Sequence, residues 1–515
     1  MRAVGVVRRL ARRTVGGPPT VQVGRRPRGG GRDEAFVRDV LELAVRVGEV
    51  MLSLGASAAD VTTTIRRVSH AFGLECEVDL TFTAILVSHD PGGSRAPVTV
   101  LRVVAARTAD YGRLTRVLEL AQEVGTAPAA TEDHAAVAAR LRDAHERLDE
   151  IVTSPHPYHR RLVTLLLSVM AAGVAVLLGG GPAVALLAGA TTAAVDRVLL
   201  RLQRWAIPPF FQQAAGATVA TLVAVALFVL VPLLPVELAT LPPALVVASG
   251  IVVLLAGLSL VGAAEDAIDG FPVTAVGRMF EVLLLTLGIV VGIAGVLDVA
   301  QRVGVTLEVV DVPAGSLPAG VQAVAAGVVA GAWALASYAR ARAACVAALA
   351  GCAAWLASVA LGALGLGPAV AGAGSALVVG FLAESLARRL RVPAIVTSVC
   401  AIVPLLPGLA IYRGLFRLVQ ADPARPATPV LLGAAMVALG LAAGVTLGGL
   451  LARPLRERVR RATWPVQRVA VRVARRGAGD PAAPAGTQPA GPGSTTAGDL
   501  HHGADPQRSQ GDGGA

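Results

Sequence analysis

The chain contains no lysine and no asparagine. Both residues are read from A-rich codons, so their absence points to a very GC-rich bacterial coding sequence. It also makes all 46 basic residues arginine. Aromatic residues are scarce at 3%, and only four cysteines occur, Cys76, Cys345, Cys352 and Cys400. These have no ligand-like spacing and three lie in apolar runs, which argues against a disulfide framework and a zinc site. The start, MRAVGVVRRLARRT, has arginines but no apolar stretch behind them, so it reads as neither a secretory nor a twin-arginine signal. P-loop, GxGxxG and nucleophile motifs are missing from the polar N-terminal part.

What is present in excess is apolar residue. The 515 residues are 54% hydrophobic, with a mean hydropathy of +0.65, too apolar for a soluble globular protein of this length. Charge concentrates in residues 1–161 and 453–515. That is the profile of a polytopic membrane protein with a soluble head and a polar tail. The net charge of +11 lies mostly in the terminal tails and in loops on one side of the spans, so membrane orientation accounts for it and nucleic acid is not implied.

The expected organisation follows the composition. Residues 1–32, rich in Arg, Gly and Pro, read as a disordered arm. Residues 33–161 read as a cytoplasmic α+β domain. Val40, Ala44, Val47, Met51 and Leu54 recur at helical spacing, and Ser57 followed by Asp60 resembles a capping box opening a second helix. ECEVDLTFT alternates like a half-buried strand, DPGG is a turn, and VTVLRVV returns as a second strand. Two helices follow, near 110–124 and 132–151. His70, Cys76 and His89 match no metal-ligand spacing.

From Leu162 onward there are ten apolar runs, each near the roughly 20 residues a bilayer crossing requires: 162–180, 182–200, 213–233, 243–264, 277–299, 319–338, 342–364, 367–387, 393–412 and 428–452. Backbone in lipid is satisfied as helix, so these are spans 1 to 10 of a helical bundle. They divide into a first five-helix half (162–300), a loop (301–318) and a second five-helix half (319–455). Residues 456–515 are a basic, then disordered, tail, in which His501-His502 is a chance pair. Arginines flank the end of span 2, the loops 6–7 and 8–9, and the end of span 10, whereas loops 1–2, 3–4 and 7–8 have none. Both termini are therefore expected in the cytoplasm. Arg413, Arg417 and Arg425 in loop 9–10 break this pattern, so either span 9 is re-entrant or broken, or those arginines have a function.

The two halves resemble each other. LLAGLSL (Leu254 to Leu260, span 4) aligns with LLPGLAI (Leu405 to Ile411, span 9), and a five-helix repeat must be inverted, as in many secondary transporters. A competing match pairs GPAV at Gly181 with GPAV at Gly367, and DRVLLRL with ESLARRL, which implies a parallel relation between spans 2 and 8. Gly257, and Pro407 with Gly408, weaken their helices. Such breaks either expose backbone to a substrate or are packing sites and kinks. Acids inside or at the ends of spans cost at least roughly 2.5–3.5 kcal/mol each on insertion scales, so they face a cavity or a partner. The candidates for a substrate and proton pathway are Asp266, Glu281, Glu384 and Asp196, with Arg278. The plainer reading pairs Asp196 with Arg201, Glu384 with Arg388 and Glu281 with Arg278. Acids capped by arginine in a dry bundle would argue against passage.

On LSLGASAADVTTTIRRVSHAFGLECEV, LLAGLSLVGAAEDAIDGFPVTAVGRMFE and PLLPGLAIYRGLF, the sequence resembles the threonine/serine exporter family of bacterial membrane proteins over residues 35–455. The resemblance rests on Asp266, Gly270 and Arg278, and on Pro407-Gly408. Ala256 stands where the family pattern has a proline in the first half, with Gly257 kept. The resemblance implies an inner-membrane, proton-driven exporter of small amino acids, with no cofactor and no resident metal, embedded in the lipid bilayer and compatible with a homo-oligomer. It implies a transporter, not an enzyme. A dicarboxylate exporter, a channel of the same architecture, or a membrane-anchored enzyme with catalysis in residues 33–151 are the alternatives.

Overall fold

The computed structural model describes residues 33–92, 95–104, 108–126, 134–230, 249–250, 254, 257–304, 317–420 and 426–462. The N-terminal arm and nearly all of the C-terminal tail, including His501-His502, lie outside these residues. So does Ala256. Contacts divide the chain after Glu457, and everything below concerns the part before it.

The polar N-terminal part begins with α1 (Glu34–Ser53) and α2 (Ala58–Ala71). Asp33 caps α1 by accepting from Ala35 N, and the Ser57 hydroxyl accepts from Asp60 N at 3.2 Å, satisfying a backbone donor that the helix itself leaves open. A three-stranded antiparallel sheet follows: β1 (Glu77–Leu80), β2 (Ala84–His89) and β3 (Val98–Val103), in the order β1-β2-β3. The expected single strand across residues 75–83 is thus a strand and a tight turn. Thr81 N donates to Ala84 O at 2.9 Å, and Ala84 N donates to Thr81 Oγ1 at 3.1 Å, so threonine closes the turn without glycine or proline. Two helices complete this part, α3 (Tyr111–Thr126) and α4 (His134–Thr153).

The apolar part contains α5 (Arg160–Leu177), α6 (Pro182–Arg204), α7 (Pro209–Leu230), α8 (Gly257–Ile268), α9 (Pro272–Arg302), α10 (Ala319–Ala336), α11 (Ala341–Ala363), α12 (Pro368–Leu390), α13 (Ala394–Ile402), α14 (Gly408–Gln420) and α15 (Thr428–Ala462). Among the described residues, eight helices are long and apolar enough to cross a membrane: α5, α6, α7, α9, α10, α11, α12 and α15. One further pair of helices is apolar enough when taken together and is bent, as a broken span or a re-entrant loop. The segment Ala394–Leu405, comprising α13 and a short 3-10 turn, meets Gly408–Leu418 at 50°. The chain is a helical membrane protein with eight or nine such spans described. Half of the expected span 4 lies outside the described residues, and α8 holds its C-terminal end.

The packing separates the two competing repeat registers. Span 3 against span 5 (α7 on α9) and span 8 against span 10 (α12 on α15) make the same contact. Gly288 and Gly292 sit over the Phe210 and Ala214 carbonyls, and Gly440 and Gly444 over those of Ala369 and Ala373. Glycine is required there because a side chain would strike the neighbouring backbone; at Gly440 an added methyl would come within 2.6 Å of the Ala369 oxygen. Two further contacts cross between the halves. Val261 of α8 packs with Ala438, Leu441 and Ala442 of α15. Tyr412, Leu415 and Phe416 of α14 pack with Ile289, Ile293 and Leu297 of α9. Spans 4 and 9 therefore occupy equivalent places. Their directions are opposite: α8 ends against the polar part, whereas α13 begins there, with Val392 and Val396 in the core of that part. The GPAV match has a local cause. Gly181 and Gly367 are each the N-cap of a helix with proline in the first turn, a common way to start a helix.

The polar part and the bundle share one apolar core. It runs from Leu41, Met51, Ile65 and Leu114 to Ala339, Ala343, Val392 and Val396. Polar ties line this seam. Tyr111 N donates to Ser337 O at 2.8 Å, Tyr158 Oη donates to Ala339 O at 3.1 Å, and Thr274 Oγ1 donates to Leu80 O at 3.3 Å. His156 stacks on Tyr338 with ring centroids 4.3 Å apart.

Candidate functional site

The site forms where α8 turns into α9. Gly270, at φ +88°, takes the left-handed conformation that ends a helix and that glycine adopts without strain. Phe271 N donates to Asp266 O at 2.8 Å, and Pro272 opens α9. This reversal puts the last turn of α8 beside the second turn of α9. There Arg278 Nε lies 3.1 Å from Asp266 Oδ2, with the Asp266 side chain fully buried and that of Arg278 9% exposed. Gly262 makes room for the guanidinium: a methyl on it would lie 2.6 Å from an Arg278 terminal nitrogen.

The polar part closes over this pair. Ala58 N donates to Asp266 Oδ1 at 3.0 Å, and an Arg278 terminal nitrogen donates to Ala56 O at 3.1 Å. Ala58 is the first residue of α2, so Asp266 also sits at the positive end of that helix. Glu265, beside Asp266 in the last turn of α8, is half-buried, and Asp60 and Asp269 are exposed.

A second feature lies at the start of α8. Gly257 is buried, and a methyl on it would meet Leu406 Cδ1 at 3.3 Å. Leu406 and Pro407 lie at the bend between α13 and α14, so the start of α8 touches that bend. Gly408 N bonds to Leu406 O at 2.7 Å, which turns the chain into α14.

The other candidates lie elsewhere. Asp196, in α6 and buried, pairs with Arg160 rather than Arg201, and Thr164 Oγ1 donates to its second oxygen at 2.7 Å. The arginine comes from the first turn of α5, across a helix-helix contact that sequence spacing does not reveal. Arg278 is engaged with Asp266 and not, as the plainer reading had it, with Glu281. Glu281, one turn further along α9, and Glu384, near the end of α12, are both half-buried. Asp266 and Asp196 are therefore both arginine-capped, but only the cap on Asp266 includes backbone from the polar part.

Among the described residues, no group of three His, Cys, Asp or Glu side chains could hold a metal. His89 Nδ1 is hydrogen-bonded to Glu75 O at 2.5 Å. Burial pushes the Cys76 thiol above its ordinary range, against a smaller opposing pull from Ser69 and Arg66. Burial likewise pushes the Tyr111 phenol up. Both groups are neutral packing elements at physiological pH. Sequence spacing missed Ala56 and Ala58, which contribute only backbone. The single hint was the Ser57 cap, which fixes where the helix begins.

Comparison with known proteins fits this architecture. Residues 42–300 match a family described as putative threonine/serine exporter, and residues 322–451 match one described as threonine/serine exporter, ThrE. A probable threonine/serine exporter of Mycobacterium tuberculosis (strain ATCC 25618 / H37Rv) is 38% identical over 447 residues, covering 85% of this chain and 81% of that protein. The chain belongs to the threonine/serine exporter family. A second member, a threonine/serine exporter of Corynebacterium glutamicum, is 36% identical over 436 residues, covering 82% of this chain and 85% of that protein. No solved structure matches. Within this family, the first matched region holds the polar part, the Asp266–Arg278 pair and Gly257, and the second holds the bend between α13 and α14. The two regions meet at Gly257 and Leu406.

Proposed function

We propose that this chain exports threonine, serine and similar small amino acids across the bacterial cytoplasmic membrane, driven by the proton gradient, with the polar part and both termini in the cytoplasm. The observation that carries this reading is the contact of Gly257, at the start of α8, with Leu406 at the bend between α13 and α14. In secondary transporters of inverted-repeat design, breaks in spans supply the backbone groups that hold a substrate, and the halves rock about them. Asp266 and Arg278, where α8 turns into α9, form the gate or coupling site. Glu281 and Glu384 are the further proton-carrying candidates. Asp196, held by Arg160 and Thr164, fixes span 1 to span 2. On this reading the polar part, which covers the Asp266–Arg278 pair, closes the cytoplasmic side.

The test is uptake by inside-out vesicles of labelled L-threonine, L-serine and succinate, with and without an imposed pH gradient. The expected result is gradient-dependent accumulation of the amino acids, lost in Asp266→Asn. Flux that ignores the gradient would indicate a channel. Succinate uptake without threonine uptake would indicate a dicarboxylate exporter. No flux of any solute would end the reading.

A further inference from the structure

The backbone that the polar part lays on the Asp266–Arg278 pair has an unusual form. Within one turn of chain, an N–H (Ala58) meets the carboxylate and a C=O (Ala56) meets the guanidinium. The pair joins its own two charges through Nε and Oδ2 and uses Oδ1 and a terminal nitrogen on the peptide. It therefore presents one anionic acceptor and one cationic donor side by side. Ala56 and Ala58 are fully buried and bring only methyl side chains to the contact.

An α-amino acid carries a donor and an acceptor on one carbon: an ammonium that suits Asp266 and a carboxylate that suits Arg278. Both would be ion pairs with charge on each partner, whereas the peptide brings only neutral dipoles to the same two charges. We propose that Asp266 and Arg278 are the site at which the amino-acid zwitterion loads from the cytoplasm, and that the Ala56–Ala58 backbone is a built-in competitor occupying it when substrate is absent. This rests on the proposed export function and deepens it. It also supplies a reason for selectivity. A dicarboxylate would set a second anion against Asp266, with Glu265 and Asp269 close by, whereas a zwitterion matches both charges. Loading then displaces the Gly55–Ala58 turn, and substrate binding is itself what loosens the polar part from the bundle.

Ala58→Pro tests this by removing the N–H and setting the ring Cδ in its place, which pushes the turn and Asp266 Oδ1 apart. Proline lacks the N–H but suits the first position of a helix. Ser57, at φ −70° and ψ 154°, already has the extended conformation that a following proline demands. Removing a hydrogen bond to a charged group favours the competing ligand by about tenfold or more. In the full-length protein reconstituted in vesicles, A58P is expected to lower the KM for cytoplasmic-side L-threonine about tenfold. An unchanged KM in a folded, transporting A58P protein would overturn the proposal, as would a loss of kcat at constant KM.

The second measurement uses the unmodified protein and does not depend on the folding of a variant. Amide hydrogen exchange in residues 55–60 is expected to speed up with saturating L-threonine, and to stay unchanged with threonine amide, which lacks the carboxylate, or N-acetylthreonine, which lacks the ammonium. Slower or unchanged exchange with L-threonine would overturn the competitor role. If the wild-type protein carries threonine while both tests fail, only this inference falls; if it carries neither threonine nor serine, the export reading falls with it.

Discussion

At the scale of single residues, the Asp266–Arg278 pair raises the question of whether it holds the fold or serves transport. Taking one partner from a buried pair leaves an uncompensated charge and costs about 3–5 kcal/mol, whereas replacing both by apolar residues of similar size is often neutral. Asp266→Asn and Arg278→Gln are each expected to lower the thermal unfolding temperature markedly. The double replacement Asp266→Leu with Arg278→Met is expected to recover most of that stability and none of the threonine flux. A double variant that recovered both would make the pair structural only. Asp196 behaves differently: because Thr164 as well as Arg160 holds it, its loss is expected to affect stability and transport together. The same scale shows why two of the pairings read from sequence, Asp196 with Arg201 and Glu281 with Arg278, give way to others. Arg201 and Arg278 are near Asp196 and Glu281 in sequence, but a helix reversal at Gly270 and a crossing of α5 over α6 decide which side chains meet. A buried charge follows those tertiary contacts.

At the scale of elements, legibility depended on whether the signal was local. Periodicity and caps are local, so α1, the Ser57 start of α2 and the apolar spans could be read directly. The turn at Thr81–Thr83 was missed because alternation runs through it and no glycine or proline interrupts it. The GPAV match misled in the opposite way, since a good helix start looks the same wherever it occurs. The likeness of α7 on α9 to α12 on α15 appears in contacts that a single sequence cannot display, glycines of one helix set over carbonyls of another. This gives a sharp expectation for α9. Gly292→Leu drives a side chain into the α7 backbone at Ala214, and overpacking of this kind costs about 1–3 kcal/mol or more. Gly295, three residues on, has nothing within 4 Å of an added methyl, so Gly295→Leu is expected to leave the unfolding temperature unchanged. Equal effects at the two positions would contradict the close packing of α7 on α9.

At the scale of the whole molecule, the polar part and the bundle are joined by one core, so the polar part is more than an appendage. Removing residues 1–153 would expose Ala339, Ala343, Val392 and Val396, which are now buried in that core. It would also strip the Asp266–Arg278 pair of both backbone partners. Uncovered apolar surface destabilises in proportion to its area. The truncated bundle, compared with the full chain in the same detergent, is therefore expected to unfold at a lower temperature. In vesicles it is expected to let threonine equilibrate rapidly in either direction, because nothing then competes for the loading site or closes the cytoplasmic side. The opposite result, a truncated bundle as stable as the full chain and still dependent on the proton gradient, would mean that the seam contributes neither packing energy nor closure. The gate would then have to lie deeper, at the meeting of Gly257 with Leu406, and substitutions at Pro407 rather than in the Ala56–Ala58 turn would control which side the site faces.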